Sequence, residues 1–124
     1  MTALLPKPLV SRSLLVILSF AFSILAFAAD VTGTYHCEGD AGGGKKYVGK
    51  VTITQKGDVY SVVWKLAGNE TYNGIGILQG DVLAVSYYGS MTGVVAYKVE
   101  SSDKLVGKWT VKGAAEVRDE ILTK

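Results

Sequence analysis

Apolar and polar residues alternate along most of the chain after residue 30. Val51 and Ile53, for example, alternate with Lys50, Thr52 and Thr54. A period of two places successive side chains on opposite faces of a β-strand, one buried and one solvated. Turn-forming residues recur between such segments about every 8–12 residues. The pattern predicts eight strands, at residues 31–38, 46–56, 59–67, 71–78, 82–88, 93–100, 105–112 and 116–122.

Short connections between these strands favour antiparallel neighbours, because a parallel pair needs a long crossover. Only residues 116–122 have a helical alternative, with Val117 and Ile121 on one face. A sheet of eight strands loses its exposed edges when it closes on itself. We therefore predict an all-β fold, an eight-stranded antiparallel up-and-down (meander) barrel, with a β-sandwich as the alternative.

A weak internal repeat supports the meander. Gly57, Gly80 and Ser102 are each followed by Asp and then by an apolar strand, at spacings of 23 and 22 residues. Glycine accepts positive φ, and Asp can hydrogen-bond to its own backbone, so each pair is a turn signal. The spacing is that of one turn and two strands, which indicates consecutive hairpins.

The first 28 residues have the pattern of a secretory signal. Lys7 and Arg12 give a basic start, an apolar run covers residues 14–27, and small residues precede a cleavage point after Ala28. The run is shorter than the roughly 20 residues of a membrane span, although a retained anchor is the alternative. We predict a signal peptide at 1–28, a single barrel domain at 29–124, a secreted or periplasmic location, and membrane contact only before cleavage.

Charge and residue types exclude several classes of function. The chain has 13 basic and 11 acidic residues, and two basic residues leave with the signal, so the remainder is near neutral. Nucleic acid binding, which needs a concentrated basic surface, is therefore not expected. One histidine and one cysteine do not make a metal site or a Cys–His pair, and no two carboxylates stand out as an acid–base pair. We predict no catalytic residues, no metal and no cofactor, and hence not an enzyme.

Two features that resemble functional motifs have simpler explanations. The glycine-rich segment 39–45 resembles a phosphate-binding loop, but Lys46 stands where Ser or Thr should be and a strand follows instead of a helix. It is predicted to be a hairpin loop. Cys37 falls on the inner face of its strand, which favours a buried thiol over an intermolecular disulfide.

Aromatic residues are the best candidates for a ligand site. Trp64, Tyr87 and Trp109 occupy equivalent positions in the three repeats, and Tyr47 shares the predicted inner face. Glycines at positions 33, 49 and 107 either make room for neighbouring rings or leave a cup for an apolar ligand. Strands of about seven residues make a barrel only about 23 Å long, and each buried ring contributes about 2–3 kcal/mol. These magnitudes favour a filled interior over the cup.

Several motifs together resemble a known family. They are Gly33-Thr34-Tyr35, Tyr47-Val48-Gly49, Val59-Tyr60-Ser61-Val62-Val63-Trp64 and Leu105-Val106-Gly107-Lys108-Trp109. The chain resembles small secreted bacterial proteins commonly labelled fibronectin-binding protein, and the likeness covers nearly all of residues 29–124. It departs at Ala114-Ala115-Glu116, where that family has Gly-x-Glu-x-Leu. There is also a looser likeness of shape to avidin-type and lipocalin-type barrels.

Three hypotheses of function follow. The resemblance implies an exported, non-enzymatic binding protein that engages an extracellular or envelope protein such as fibronectin, through exposed residues such as Lys65, Tyr88 and Lys108 or the 42–46 loop. The alternative is a lipocalin-like or avidin-like carrier of a small apolar or aromatic ligand, with Tyr47, Trp64, Tyr87 and Trp109 lining a cup. An inhibitor of a secreted hydrolase is a third.

Overall fold

The computed structural model describes residues 30–124, and the predicted signal peptide with its cleavage point near Ala28 lies outside them. Alternating patterns give eight strands close to the predicted positions. Their bounds are β1 Gly33–Gly42, β2 Lys45–Lys56, β3 Val59–Leu66, β4 Glu70–Gln79, β5 Val82–Tyr88, β6 Thr92–Ser101, β7 Lys104–Val111 and β8 Arg118–Thr123.

Each strand pairs antiparallel with the next, and β8 pairs with β1 to close the barrel. The prediction of an up-and-down barrel is confirmed. The last segment is a strand, and the helical alternative is wrong. Leu122 in β8 lies opposite Cys37 in β1 and Leu105 in β7, so this strand satisfies two edges that would otherwise be exposed. The described residues, 30–124, contain no helix long and apolar enough to cross a membrane.

One end of the barrel is closed. Three tight hairpins lie there, and Gly57 and Gly80 both have the positive φ of 59° that the turn signals predicted. The segment before β1 crosses this end, where Val31 is fully buried. The Tyr35 hydroxyl donates to the Val31 carbonyl at 2.8 Å, and Lys124 Nζ donates to the Thr32 carbonyl at 2.9 Å. These bonds hold the segment over the opening.

The glycine-rich segment is mostly strand, so the predicted loop at 39–45 was too long. β1 continues to Gly42, and only residues 43 and 44 form the turn. A register shift follows Asp40, whose carboxylate accepts the Gly42 backbone N–H at 2.8 Å. This side-chain bond supports the irregular backbone, and pairing resumes between Gly42 and Lys45.

The inward faces of the strands form one core. The predicted alternation is confirmed, and Cys37 is a fully buried free thiol, as predicted. The largest fully buried side chains are Tyr35, Tyr97, Ile53, Leu83, Leu105 and Leu122. Most of them belong to the closed half of the barrel, which leaves the other half to define the site.

Candidate ligand site

A cavity of about 210 Å³ opens at the end opposite the closed one. Residues at the β1–β2, β3–β4, β5–β6 and β7–β8 connections form its rim. The four predicted ligand-site residues, Tyr47, Trp64, Tyr87 and Trp109, all line this cavity. Three of them lie seven residues after a closed-end turn, and equal distances along neighbouring strands bring them to a similar height.

The rings pack against one another in two groups around the cavity. Trp64 and Tyr87 have centroids 5.7 Å apart, and Tyr72 meets Tyr87 edge to face at 5.8 Å. On the other wall, Tyr47 and Trp109 meet edge to face at 5.9 Å. Tilted and edge-to-face pairs are favourable arrangements of aromatic rings. The cavity therefore has aromatic walls on two sides.

The preference for a filled interior is therefore wrong at the mouth, although it describes the closed half. The short barrel length had suggested that the whole interior must be filled. In the structure, the side chains of the closed half form a core by themselves. Among the three glycines considered, Gly107 does make room for a ring: a Cβ there would lie 2.8 Å from two ring carbons of Tyr97. Gly33 instead faces Lys124, and Gly49 faces Leu66 and the adjoining backbone.

The floor of the cavity holds a buried carboxylate, Glu120, which is 4% exposed. Its Oε1 accepts from the Tyr47 hydroxyl at 2.9 Å and the Cys37 thiol at 3.1 Å. Its Oε2 accepts from Trp64 Nε1 at 3.3 Å and from the Tyr97 hydroxyl. Four donors from four strands thus occupy the roughly four lone-pair positions of one carboxylate.

The sheet register explains how two tyrosines reach this carboxylate. Glu120 lies opposite Gly39 in β1 and Gly107 in β7. Tyr47 lies opposite Gly39 on its other side, and Tyr97 lies opposite Gly107. A Cβ at either glycine would collide with the adjacent tyrosine ring. The row therefore runs Tyr–Gly–Glu–Gly–Tyr around the barrel, and each ring crosses a glycine to reach the acid.

Burial keeps the donors protonated. It raises the pKa of the Tyr97 and Tyr47 hydroxyls and of the Cys37 thiol well above their usual values, and the negative charge of Glu120 raises each pKa further. Burial also raises the pKa of Tyr87 to about 12. None of these groups is a ready nucleophile or base, because each is held in its neutral form.

Arg118 occupies the rim of the cavity. Its guanidinium lies 5.8 Å from the centre of the Trp109 ring, and Nη1 donates to the Ala41 carbonyl at 2.7 Å. The side chain therefore ties β8 to β1 beside the mouth. It is engaged by a ring and a carbonyl rather than by a carboxylate.

Sequence reasoning missed Glu120, Arg118 and Tyr72. It singled out no carboxylate for the interior of the barrel, where Glu120 lies. Alternation on either side of Leu122 was the available signal, since residues two apart share a face. Within residues 30–124, no three His, Cys, Asp or Glu side chains are grouped to hold a metal ion.

The fold and the cavity define this molecule as an eight-stranded up-and-down β-barrel with a pocket at one end. No family model matches the chain, and no curated protein matches it. The redesigned β-barrel b11L5F_LGL is similar with a TM-score of 0.69, at 12% identity, over 76% of this chain and 90% of that one.

Two further solved structures share the architecture. The redesigned barrel mFAP1, solved bound to DFHBI, has a TM-score of 0.66 at 12% identity, over 76% of this chain and 94% of its own. The REP1-NXSQ fatty acid transporter has a TM-score of 0.52 at 13% identity, over 77% of this chain and 96% of its own. Identities this low show a common fold alone.

Proposed function

We propose that this protein is a non-enzymatic carrier that binds a compact apolar or aromatic molecule in its cavity. The observation that carries the proposal is the single-mouthed cavity with aromatic walls and one polar group at its floor, which is the usual composition of a small-molecule site. Two of the structurally similar barrels are mFAP1, which was solved bound to DFHBI, and a fatty acid transporter. Their barrels support the carrier over the protein-binding hypothesis. With the predicted signal peptide, the proposed place of action is outside the cytoplasm.

The volume limits the size of the ligand. An apolar cavity of about 150 Å³ holds benzene, and drug-sized ligands occupy roughly 300–1,000 Å³. At about 210 Å³, the cavity fits one substituted ring or a small fused pair. The ligand class that fits best is therefore a single compact ring system.

Binding can be tested with the two tryptophans as reporters, because both line the cavity. The purified protein is titrated with a panel of one-ring and two-ring compounds while tryptophan fluorescence and heat are recorded. Trp109→Ala should weaken binding by about tenfold, since a ring contact contributes on the order of 1 kcal/mol beyond its buried area. The control is Tyr88→Ala, on the outer face of β5. Equal affinity in the two variants would place the ligand elsewhere.

A protein partner is the second candidate, because one outer wall is apolar. Ile75 and Ile77 on the outside of β4 are 63% and 59% exposed, and Val94 on the outside of β6 is 55% exposed. Ser86 of β5 lies between Ile75 and Val94. Contiguous exposed apolar surface is typical of interaction sites. Retention on immobilised fibronectin, lost in an Ile75→Lys variant, would support this reading. The third hypothesis, an inhibitor of a secreted hydrolase, stays a prediction.

A further inference from the structure

The cavity floor carries a negative charge that no cation neutralises. The four donors to Glu120 satisfy its hydrogen bonds, but all four are neutral groups. Among residues 30–124 the one ion pair joins Lys108 and Asp119, both on the outer surface. Satisfying a carboxylate's hydrogen bonds reduces its desolvation cost without removing its charge. The charge therefore acts on whatever enters the cavity.

Arg118 is the basic side chain that lines the cavity, and it forms no ion pair with Glu120. It lies two residues before Glu120 on the same strand, about 7 Å towards the mouth by the strand rise. Its guanidinium is held by the Ala41 carbonyl and the Trp109 ring. The pocket thus has a carboxylate at its floor, whereas the guanidinium of Arg118 and the carboxylate of Glu70 both lie nearer its mouth.

The aromatic walls, like Glu120, favour a positively charged ligand. Trp64 and Tyr47 both contact Glu120 through a polar atom and present ring surface to the cavity. Ring faces attract cations, and more strongly where water is excluded. Low dielectric also strengthens the attraction between the carboxylate and a cation, and equally its repulsion of an anion. An anionic ligand such as a fatty acid would meet repulsion at the floor.

We propose that the ligand is a protonated amine attached to a single ring system, with its ring between the aromatic walls and its ammonium group directed to Glu120. This inference rests on the proposed function, since it names the chemical class of ligand for the same cavity. The ammonium replaces the hydroxyl of half-buried Tyr47 as a donor to Glu120, because the four present donors already fill the lone-pair positions of the carboxylate. No covalent step is involved.

Three probes of nearly equal size separate charge from shape: 2-phenylethylamine, 2-phenylethanol and phenylacetate. Their affinities for the purified protein are measured by calorimetry at pH 7, where the first is cationic, the second neutral and the third anionic. We expect the amine to bind on the order of tenfold or more tightly than the alcohol, since charge-assisted hydrogen bonds are the stronger kind. The anionic probe, phenylacetate, should bind most weakly.

Two variants locate the source of the preference. Glu120→Gln removes the charge at nearly constant shape, and the ratio of amine to alcohol affinity should then fall to about one. Asp119→Asn removes a neighbouring carboxylate that faces outward, and the ratio should stay as in the native protein. Circular dichroism verifies that each variant folds. The native-protein series decides the question even if Glu120→Gln does not fold.

Each outcome is distinct. If the alcohol or the anion binds as tightly as the amine, the charge inference is overturned and the carrier proposal stands. If none of the three probes binds, and no other ring compound does, the carrier proposal itself fails. A preference that survives in Glu120→Gln would show that another group recognises the cation.

Discussion

Replacing Glu120 with leucine is the sharpest test of how this barrel is held together. Leucine is apolar and comparable in volume, so it removes the acceptor without leaving a large void. Tyr97, which is fully buried, would then have a hydroxyl with no acceptor. Leaving a buried donor unsatisfied costs about 1–3 kcal/mol.

Loss of the Glu120 acceptor costs less free energy at the other three donors. Trp64 Nε1 keeps the Tyr97 oxygen at 3.2 Å as an alternative acceptor. The Tyr47 hydroxyl is half-buried at the cavity wall and can bond to water there. The Cys37 thiol is a weak donor. We therefore expect Glu120→Leu to lower the free energy of unfolding by about 2–4 kcal/mol, a large part of the roughly 5–15 kcal/mol of a typical domain.

A double-mutant cycle isolates the bond between Glu120 and Tyr97. Tyr97→Phe alone removes one donor from a charged acceptor and should cost about 1.5–3 kcal/mol. In the double variant the Tyr97 hydroxyl is gone, so its cost as an unsatisfied donor is gone as well, but Trp64 Nε1 has then lost both of its acceptors and offsets part of this gain. The cost of the double variant should still fall short of the sum of the single costs, by about 1 kcal/mol, since residues in contact are typically coupled.

Urea unfolding followed by tryptophan fluorescence measures all four proteins, with thermal unfolding as a second probe. For a domain of this size, 1 kcal/mol corresponds to a shift in Tm of about 4–8 °C. If the costs of the two single variants add up to that of the double variant within about 0.5 kcal/mol, the reasoning is refuted, because such additivity is typical of sites that do not interact. A stabilised Glu120→Leu variant would refute it as well, since the burial cost of the carboxylate would then outweigh its four bonds.

Three further predictions concern packing, charge and the thiol. Gly107→Ala should cost about 1–3 kcal/mol in urea unfolding, because its Cβ would press on the Tyr97 ring, which cannot shift without leaving its acceptor. The Lys108–Asp119 pair has side chains 65% and 60% exposed, so its double-mutant coupling should stay below about 1 kcal/mol and fall with added salt. Cys37 should react with a thiol reagent only after unfolding, because burial raises its pKa. The unfolded thiol ionises near its ordinary 9.0 while the folded one stays protonated, so stability should decline as pH rises above about 9. The tyrosines Tyr47 and Tyr97, whose pKa is also raised, add to the decline at higher pH, so a Cys37→Ala variant should show a smaller decline than the native protein.

Strand positions were predictable because the physics behind them is local. Alternation fixes which face of a strand is buried, and the turn pairs beginning at Gly57 and Gly80 need only positive φ at one residue. β1 was predicted too short because glycines normally end strands. Here Gly39 lies in the strand, where it leaves room for the ring of Tyr47.

The candidate rings were also predictable, but the cavity between them was not. Equal spacing from three turns indicated that Trp64, Tyr87 and Trp109 share a level of the barrel. Whether rings at one level meet at the axis or stay against the walls depends on strand tilt and on neighbouring side chains. Edge-to-face pairs such as Tyr72 with Tyr87 hold the rings to the walls. Those contacts arise from the register of separate strands, which no local pattern specifies.

Glu120 was missed because both faces of β8 carry apolar residues. Ile121 in β8 and Val117, just before the strand, are exposed, whereas Glu120 and Leu122 are buried and point inward. Amphipathicity alone would place the two apolar residues that share a face inside the barrel. Strand pairing instead places Leu122 inside the barrel, because it lies opposite buried residues on both β1 and β7. A slip of one residue would reverse every side chain of the strand.

The carboxylate network lies where the packed half of the barrel gives way to the cavity, and its position there has a physical reason. A cavity removes the apolar contacts that would otherwise hold the wall strands together. Glu120 replaces them with bonds to Cys37, Tyr47, Trp64 and Tyr97, from four other strands. Such a satisfied polar network rigidifies the site around one geometry. The residue that supports the open half of the barrel is therefore also the group to which we propose the ligand's charge is matched.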